Sequence, residues 1–154
     1  MKIRPARRED AAAIAQLSRE LAEHLADPDP GADSGPILEL GFGANKWFDC
    51  LVAEQDGEIA GCALYCRRFE AHTRSKKLYL ADLAVAKGRR GEGIGETLIE
   101  ALRKEASALG CKSIVFDLWV ENTTARGFYE RIGAVRDSEL EVYAIPVGAV
   151  PSAP

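Results

Sequence analysis

Three glycines alternate along Gly91-Glu92-Gly93-Ile94-Gly95, directly behind Arg89-Arg90, and the residue pattern changes period across them. Upstream, Lys76 to Val85 reads as a strand; downstream, Ile94, Leu98, Leu102, Ala106 and Leu109 form a helical stripe that Gly110 stops. A strand that hands the chain to a helix through such a turn confines the fold to α/β architectures. The turn itself aims backbone N–H groups and the positive end of a helix at one spot, a cradle suited to a pyrophosphate. Arg89 and Arg90 supplement it with cationic side chains. A P-loop would continue as Gly-Lys-Ser/Thr, but Gly95 is followed by Glu96 and Thr97. A dinucleotide-binding unit would carry G-x-G-x-x-G on its first strand, and neither that spacing nor that position occurs here.

The rest of the chain builds one mixed α/β layer structure around this segment. Lys2 to Arg4 reads as a short strand, followed from about Glu9 by a helix with Ala11, Ile14, Leu17, Leu21 and Leu25 on one face. Asp27-Pro28-Asp29-Pro30-Gly31 ends that helix, and residues 27 to 36 are a loop. Ile37 to Phe48 fits a short helix broken by Gly41 and Gly43. Cys50 to Glu54 and Glu58 to Arg68 make a hairpin about Asp56-Gly57. In the next strand Leu78 and Leu80 share one parity and Leu83 and Val85 the other. One extra residue, a β-bulge, would return all four to a single face. Ser113 to Val120 reads as a strand, Asn122 as the cap of a helix through Arg131, and Glu139 to Ile145 as a last strand. Residues 1–146 are expected to form one domain, with 147–154 a flexible tail.

At 154 residues with 47% hydrophobic and 29% charged side chains, the chain can bury a core without disulfides or metal. A net charge of −4 argues against general nucleic-acid binding, and no apolar stretch is long enough to span a bilayer. The N-terminus carries no apolar signal region, so a cytoplasmic protein without membrane partners is expected. Cys50, Cys62, Cys66 and Cys111 form no CxxC pair and only His24 and His72 could join them, so no metal site is expected. The cysteines read as small, reduced core residues.

A second segment, Glu121-Asn122-Thr123-Thr124-Ala125-Arg126-Gly127-Phe128-Tyr129-Glu130-Arg131-Ile132-Gly133-Ala134, reads by itself as a capped amphipathic helix with aromatic anchors. Together, the two segments resemble the GNAT superfamily of acetyl-CoA-dependent N-acetyltransferases. Arg90, Gly93 and Gly95 meet its R/Q-x-x-G-x-G/A signature, and Asn122, Ala125, Phe128, Tyr129, Gly133 and Ala134 meet its N-x-x-A-x-x-F-Y-x-x-x-G-A element. The likeness covers about residues 2 to 145. Within the family, Gly41-Phe42-Gly43, Cys50-Leu51-Val52-Ala53-Glu54 and Leu78-Tyr79-Leu80-x-Asp82 are most similar to the diamine (spermidine/spermine-type) N-acetyltransferases. The chain departs from that subgroup at Ala81, where the subgroup has Glu, and near Leu25, where an acidic substrate contact is replaced and His24 stands alongside.

The resemblance implies a mixed, mainly antiparallel sheet with helices on both faces and a splayed central strand pair. It implies direct transfer of acetyl from acetyl-CoA to a primary amine of a small, di- or polyamine-like substrate. The same fold also serves amino acids, peptide N-termini or aminoglycosides, and a non-catalytic acetyl-CoA-binding module is the competing class. By this likeness Leu83, Ala84, Val85, Arg90, Gly91, Glu92, Gly93, Ile94, Gly95, Glu96, Asn122, Thr123, Thr124, Ala125 and Phe128 hold the cofactor. Tyr129 matches the acid that protonates the leaving thiolate. Direct attack needs a neutral amine, which at a pKa near 10.4 is roughly one molecule in a few thousand at pH 7, so a base is required. Asp82, beside the expected bulge, is the first candidate for base or amine ligand and Asp117 the second. His24 and Ala81 complete the expected substrate side. Homodimerisation is a family-based expectation.

Overall fold

The hairpin at Asp56-Gly57 sets the register of the sheet. Both residues adopt positive φ, 55° and 83°, the twist that a two-residue turn between antiparallel strands requires. It joins β2 (Asp49–Gln55) to β3 (Glu58–Glu70), which runs back beside β4 (Ser75–Val85); β1 (Lys2–Pro5) pairs with β2, and β5 (Ser113–Val115) lies parallel to β4. The sheet order is β1-β2-β3-β4-β5, antiparallel except for its last pair. The structure, a computed structural model, describes residues 1–148. It comprises a unit from Met1 to Asp117 and a second that begins at Leu118.

In the first unit helices cover both sheet faces. From α1 (Ala11–Leu25), Ile14 and Leu17 pack with Cys50, Val52, Cys62, Leu64 and Ala84. The opposite parity faces α3 (Ile94–Ala108), whose Ile94 and Leu98 lie so close over Gly61 that a Cβ there would meet Ile94 Cγ2 at 2.9 Å. Ile94, Leu98, Leu102 and Ala106 are buried as the stripe predicted, and Gly110, at φ 70°, stops the helix. A short helix α2 (Gly35–Phe42) occupies the ambiguous stretch after the loop and ends at Gly43.

The bulge is present. Tyr65 pairs with Leu80 and Leu64 with Asp82, which leaves Ala81 as the extra residue. Leu78, Leu80, Leu83 and Val85 therefore sit opposite Arg67, Tyr65, Ala63 and Gly61, all on one face. Asp82 and Ala84 turn to the other.

Two strand expectations change. Ladder pairing of β5 stops at Val115 rather than continuing to Val120. Among the described residues of the second unit, Glu139 to Ile145 forms no strand, and Leu140, Val142, Tyr143 and Ile145 are exposed. Period-two alternation supplies a face but no partner, and a strand needs a partner for its backbone groups. The expected tail, 147–154, lies outside the described residues from 149 onward. The second unit's helix, α4 (Thr123–Arg131), ends as predicted, with Gly133 at φ 88°.

Candidate active site

β4 and β5 run side by side only from Lys77–Ser113 to Tyr79–Val115. Beyond Tyr79, β4 continues for six residues along β3 alone, and that single-sided edge carries Ala81 to Val85. The parallel ladder thus ends early, where a splayed strand pair running on to Val120 was expected. Leu83, Ala84 and Val85 are tied to Ala63, Cys62 and Gly61 on one side and have no strand on the other among the described residues.

The bulge re-aims Asp82 on this edge. Its position is exposed, yet the protein packed around the carboxyl desolvates it and holds it above the usual carboxylate range. Its charge reaches Cys62 and Tyr79, which share its face of the sheet. Tyr79, on the same sheet face as Asp82, donates its hydroxyl to Asp117 Oδ2 at 2.9 Å. Burial, then the bond to Asp117, pushes the Tyr79 phenol up. Its signal was available in sequence only through the bulge, which decides which residues share a face with Asp82.

The glycine turn begins one residue past β4. Lys87–Arg89 makes a single 3-10 turn, Gly91 and Gly93 adopt φ of 85° and 77°, and Gly93 is the N-cap of α3. A side chain at either glycine would be strained by that φ although a Cβ would meet nothing within 4 Å. No side chain caps α3, so the first-turn amides of Ile94, Gly95 and Glu96 have no intrahelical acceptor. Open space beside Gly91 and Gly93, uncapped helix amides and a nearby guanidinium fit a pyrophosphate. Of the two arginines, Arg89 is bound to Glu92 at 3.0 Å and reaches Asp56 at 3.8 Å, which ties it into the turn. Arg90 donates from Nε to the Val85 carbonyl at 3.3 Å and approaches His24 Nδ1 from Nη1 at 3.4 Å. His24 therefore stands on the glycine-turn side; its hydrogen-bond partner is Arg90 and not Asp82. Ala81 is the unpaired bulge residue.

In the second unit, Asn122 caps α4 by accepting from the Ala125 amide at 3.0 Å, which commits its side-chain oxygen. Thr123 and Thr124 open the helix, and the Phe128 and Tyr129 rings meet edge to face with centroids 5.0 Å apart.

Two of the four cysteines are sealed in the core. Cys50 and Cys62 are buried, and hydrogen bonding between them together with burial raises the Cys62 thiol well above its ordinary range. No cluster able to hold a metal occurs among the described residues, and no described helix is long and apolar enough to cross a membrane.

Comparison with known proteins identifies the lineage. The Acetyltransferase (GNAT) family matches residues 16–134. A thialysine N-epsilon-acetyltransferase from Sus scrofa is 32% identical over 148 residues, covering 90% of this chain and 86% of that protein. The human spermidine/spermine N(1)-acetyltransferase-like protein 1 is 30% identical over 149 residues, 91% of this chain but 21% of that longer protein. Among solved structures, one described as a probable acetyltransferase superposes with a TM-score of 0.82 at 22% identity, covering 97% of this chain and 99% of that one, which shows the shared fold. The chain belongs to the GNAT family, and it is an N-acetyltransferase of the acyltransferase class.

Proposed function

We propose that this chain transfers acetyl from acetyl-CoA directly to a primary amine of a small di- or polyamine-like substrate, with residues 1–146 acting as one catalytic domain. The observation that carries the reading is the placement, at one strand end, of the bulge-side carboxylate of Asp82 and of a positive-φ glycine turn leading into an uncapped helix N-terminus at Gly91 to Glu96. Relatives that act on amines, one named for thialysine and one for spermidine and spermine, support the acceptor class.

Acetyl-CoA, when bound, supplies an activated acetyl group as a thioester. The amides of Gly93 to Glu96, with Arg90, bind its pyrophosphate, and Leu83 to Val85 offer backbone groups to the pantetheine arm along the single-sided edge. The family likeness assigns Asn122, Thr123, Thr124, Ala125 and Phe128 of the second unit to cofactor binding as well. Asp82 takes the proton that frees the amine lone pair, a task to which a carboxyl of raised pKa is better suited than an ordinary aspartate. Asp117, oriented by Tyr79, and Asp82 attract the cationic acceptor. Tyr129 returns a proton to the departing thiolate: a phenol near 10 can do so to a thiol near 8.5 with modest electrostatic help. A homodimer in the cytoplasm, with its cysteines reduced, is the setting proposed for this reaction.

The deciding experiment is thiol release from acetyl-CoA against a panel of spermidine, thialysine, lysine, short peptides and an aminoglycoside. Small diamines should give the highest kcat/KM. A peptide or aminoglycoside as the preferred acceptor would replace the substrate class, and no release with any amine would leave a binding module.

A further inference from the structure

We infer that Glu20 and His24 of α1 are positioning residues that preset the pyrophosphate loop, an assignment that rests on the reading of that loop given above. They stand four residues apart, one helical turn, and so share a face. From that face Glu20 Oε2 accepts the Lys87 backbone amide at 2.8 Å, while Gln16 Nε2 holds its other oxygen at 3.2 Å. Glu23 meets the Lys87 ammonium at 3.4 Å, and His24 Nδ1 lies 3.4 Å from Arg90 Nη1.

The sequence between these anchors explains why a latch matters. The segment Lys87 to Gly95 contains Gly88, Gly91, Gly93 and Gly95, and glycine gains the most freedom whenever a backbone is released. Two backbone bonds, Ala86 to the Ala60 carbonyl at 2.9 Å and Arg89 to the Ala86 carbonyl at 2.8 Å, fix where the loop leaves the sheet. The α1 side chains add the outer wall. Glu20 pins the first amide of the loop, and His24 with the Val85 carbonyl engages two nitrogens of Arg90, leaving Nη2 to meet an anion. A loop ordered before binding does not spend ligand affinity on its own ordering. The Lys87 ammonium, 3.4 Å from Glu23, partly offsets the acidic charge that α1 brings to the loop.

The test compares Glu20→Ala, Glu20→Gln, His24→Leu and wild type. Without ligand, hydrogen exchange of the Lys87–Gly95 amides should quicken several-fold in Glu20→Ala. Calorimetry with acetyl-CoA should show affinity about five- to thirty-fold weaker in Glu20→Ala and His24→Leu, the equivalent of ordering roughly one residue at the moment of binding. Glu20→Gln, which keeps an acceptor oxygen, should stay within about three-fold of wild type. Acetyl-pantetheine lacks the pyrophosphate, and its kcat/KM should change less than about two-fold in Glu20→Ala and Glu20→Gln. Unchanged exchange and affinity would overturn the assignment, as would an equal loss with both donors. A raised amine KM in His24→Leu at unchanged acetyl-CoA affinity would move His24 to the acceptor side. If Glu20→Ala fails to fold, Glu20→Gln and His24→Leu carry the comparison. Failure of the wild type to bind acetyl-CoA would defeat the reading of the loop, while quickened exchange would still establish the latch.

Discussion

The Tyr79 hydroxyl donates to Asp117 across the place where β4 and β5 stop pairing, two residues beyond the last ladder partner Val115. The bond holds the Asp117 carboxylate where the β4–β5 pairing ends, against Tyr79 of the strand that also carries Asp82. Tyr79→Phe removes the donor and keeps the ring. The amine KM should rise about five-fold, the equivalent of one hydrogen bond worth about 1 kcal/mol, with kcat within two-fold. Steady-state kinetics with the preferred amine check this, and an unchanged KM would remove Asp117 from the acceptor side.

How far the sequence reached is clear from β4. The parity change between Leu80 and Leu83 located the bulge to within a residue, because a buried face must stay continuous and one extra residue is the smallest repair. The glycine turn was legible for a similar reason: positive φ at Gly91 and Gly93 is a local demand that glycine meets. Contacts between distant segments were not legible. Tyr79 with Asp117, 38 positions apart, and Glu20 with Lys87, 67 apart, depend on packing that no local period encodes. Glu139 to Ile145 shows the opposite error, a strand pattern without a strand among the described residues.

Asp82 gives a prediction about pH. A base must be ionised, and desolvation raises this carboxyl, so the ionised fraction falls at a higher pH than for a free aspartate near 3.9. The acid limb of kcat/KM should therefore lie above that value, and activity should be lost as pH drops through it. Asp82→Asn should remove the limb and lower kcat by about a hundred-fold or more. A full pH–rate profile in both proteins decides the matter; full activity in the variant would eliminate Asp82 as base.

Tyr129→Phe tests the other proton. It keeps the ring that meets Phe128 edge to face, so α4 should remain intact by circular dichroism. Turnover should fall about ten-fold or more, while calorimetry should find acetyl-CoA affinity within two-fold of wild type. Unchanged turnover would remove Tyr129 from the mechanism.

Stability at low pH should report on Asp10. This carboxylate is 6% exposed and accepts from both terminal nitrogens of Arg4, at 2.7 and 3.0 Å, and from the Arg7 amide at 2.7 Å. Arg4 also binds Glu54 at 2.6 Å, which ties β1 to β2 and to the start of α1. The Arg4 bonds, opposed by burial and aided by Arg7, hold the Asp10 pKa below its ordinary value. A depressed carboxyl contributes stability that is complete above the unfolded pKa, near 3.9, and is lost as pH falls through the lower folded value. Asp10→Asn removes the charge and leaves Arg4 with one carboxylate. It should cost about 2 kcal/mol at pH 7, or roughly 5 °C in Tm. The gap between variant and wild type should narrow as pH is lowered below 4, because protonation then removes from the wild type the charge that the variant already lacks. Thermal melts from pH 7 to pH 3 measure it, and a gap that is constant across that range would show that the pairing with Arg4 contributes packing and not charge.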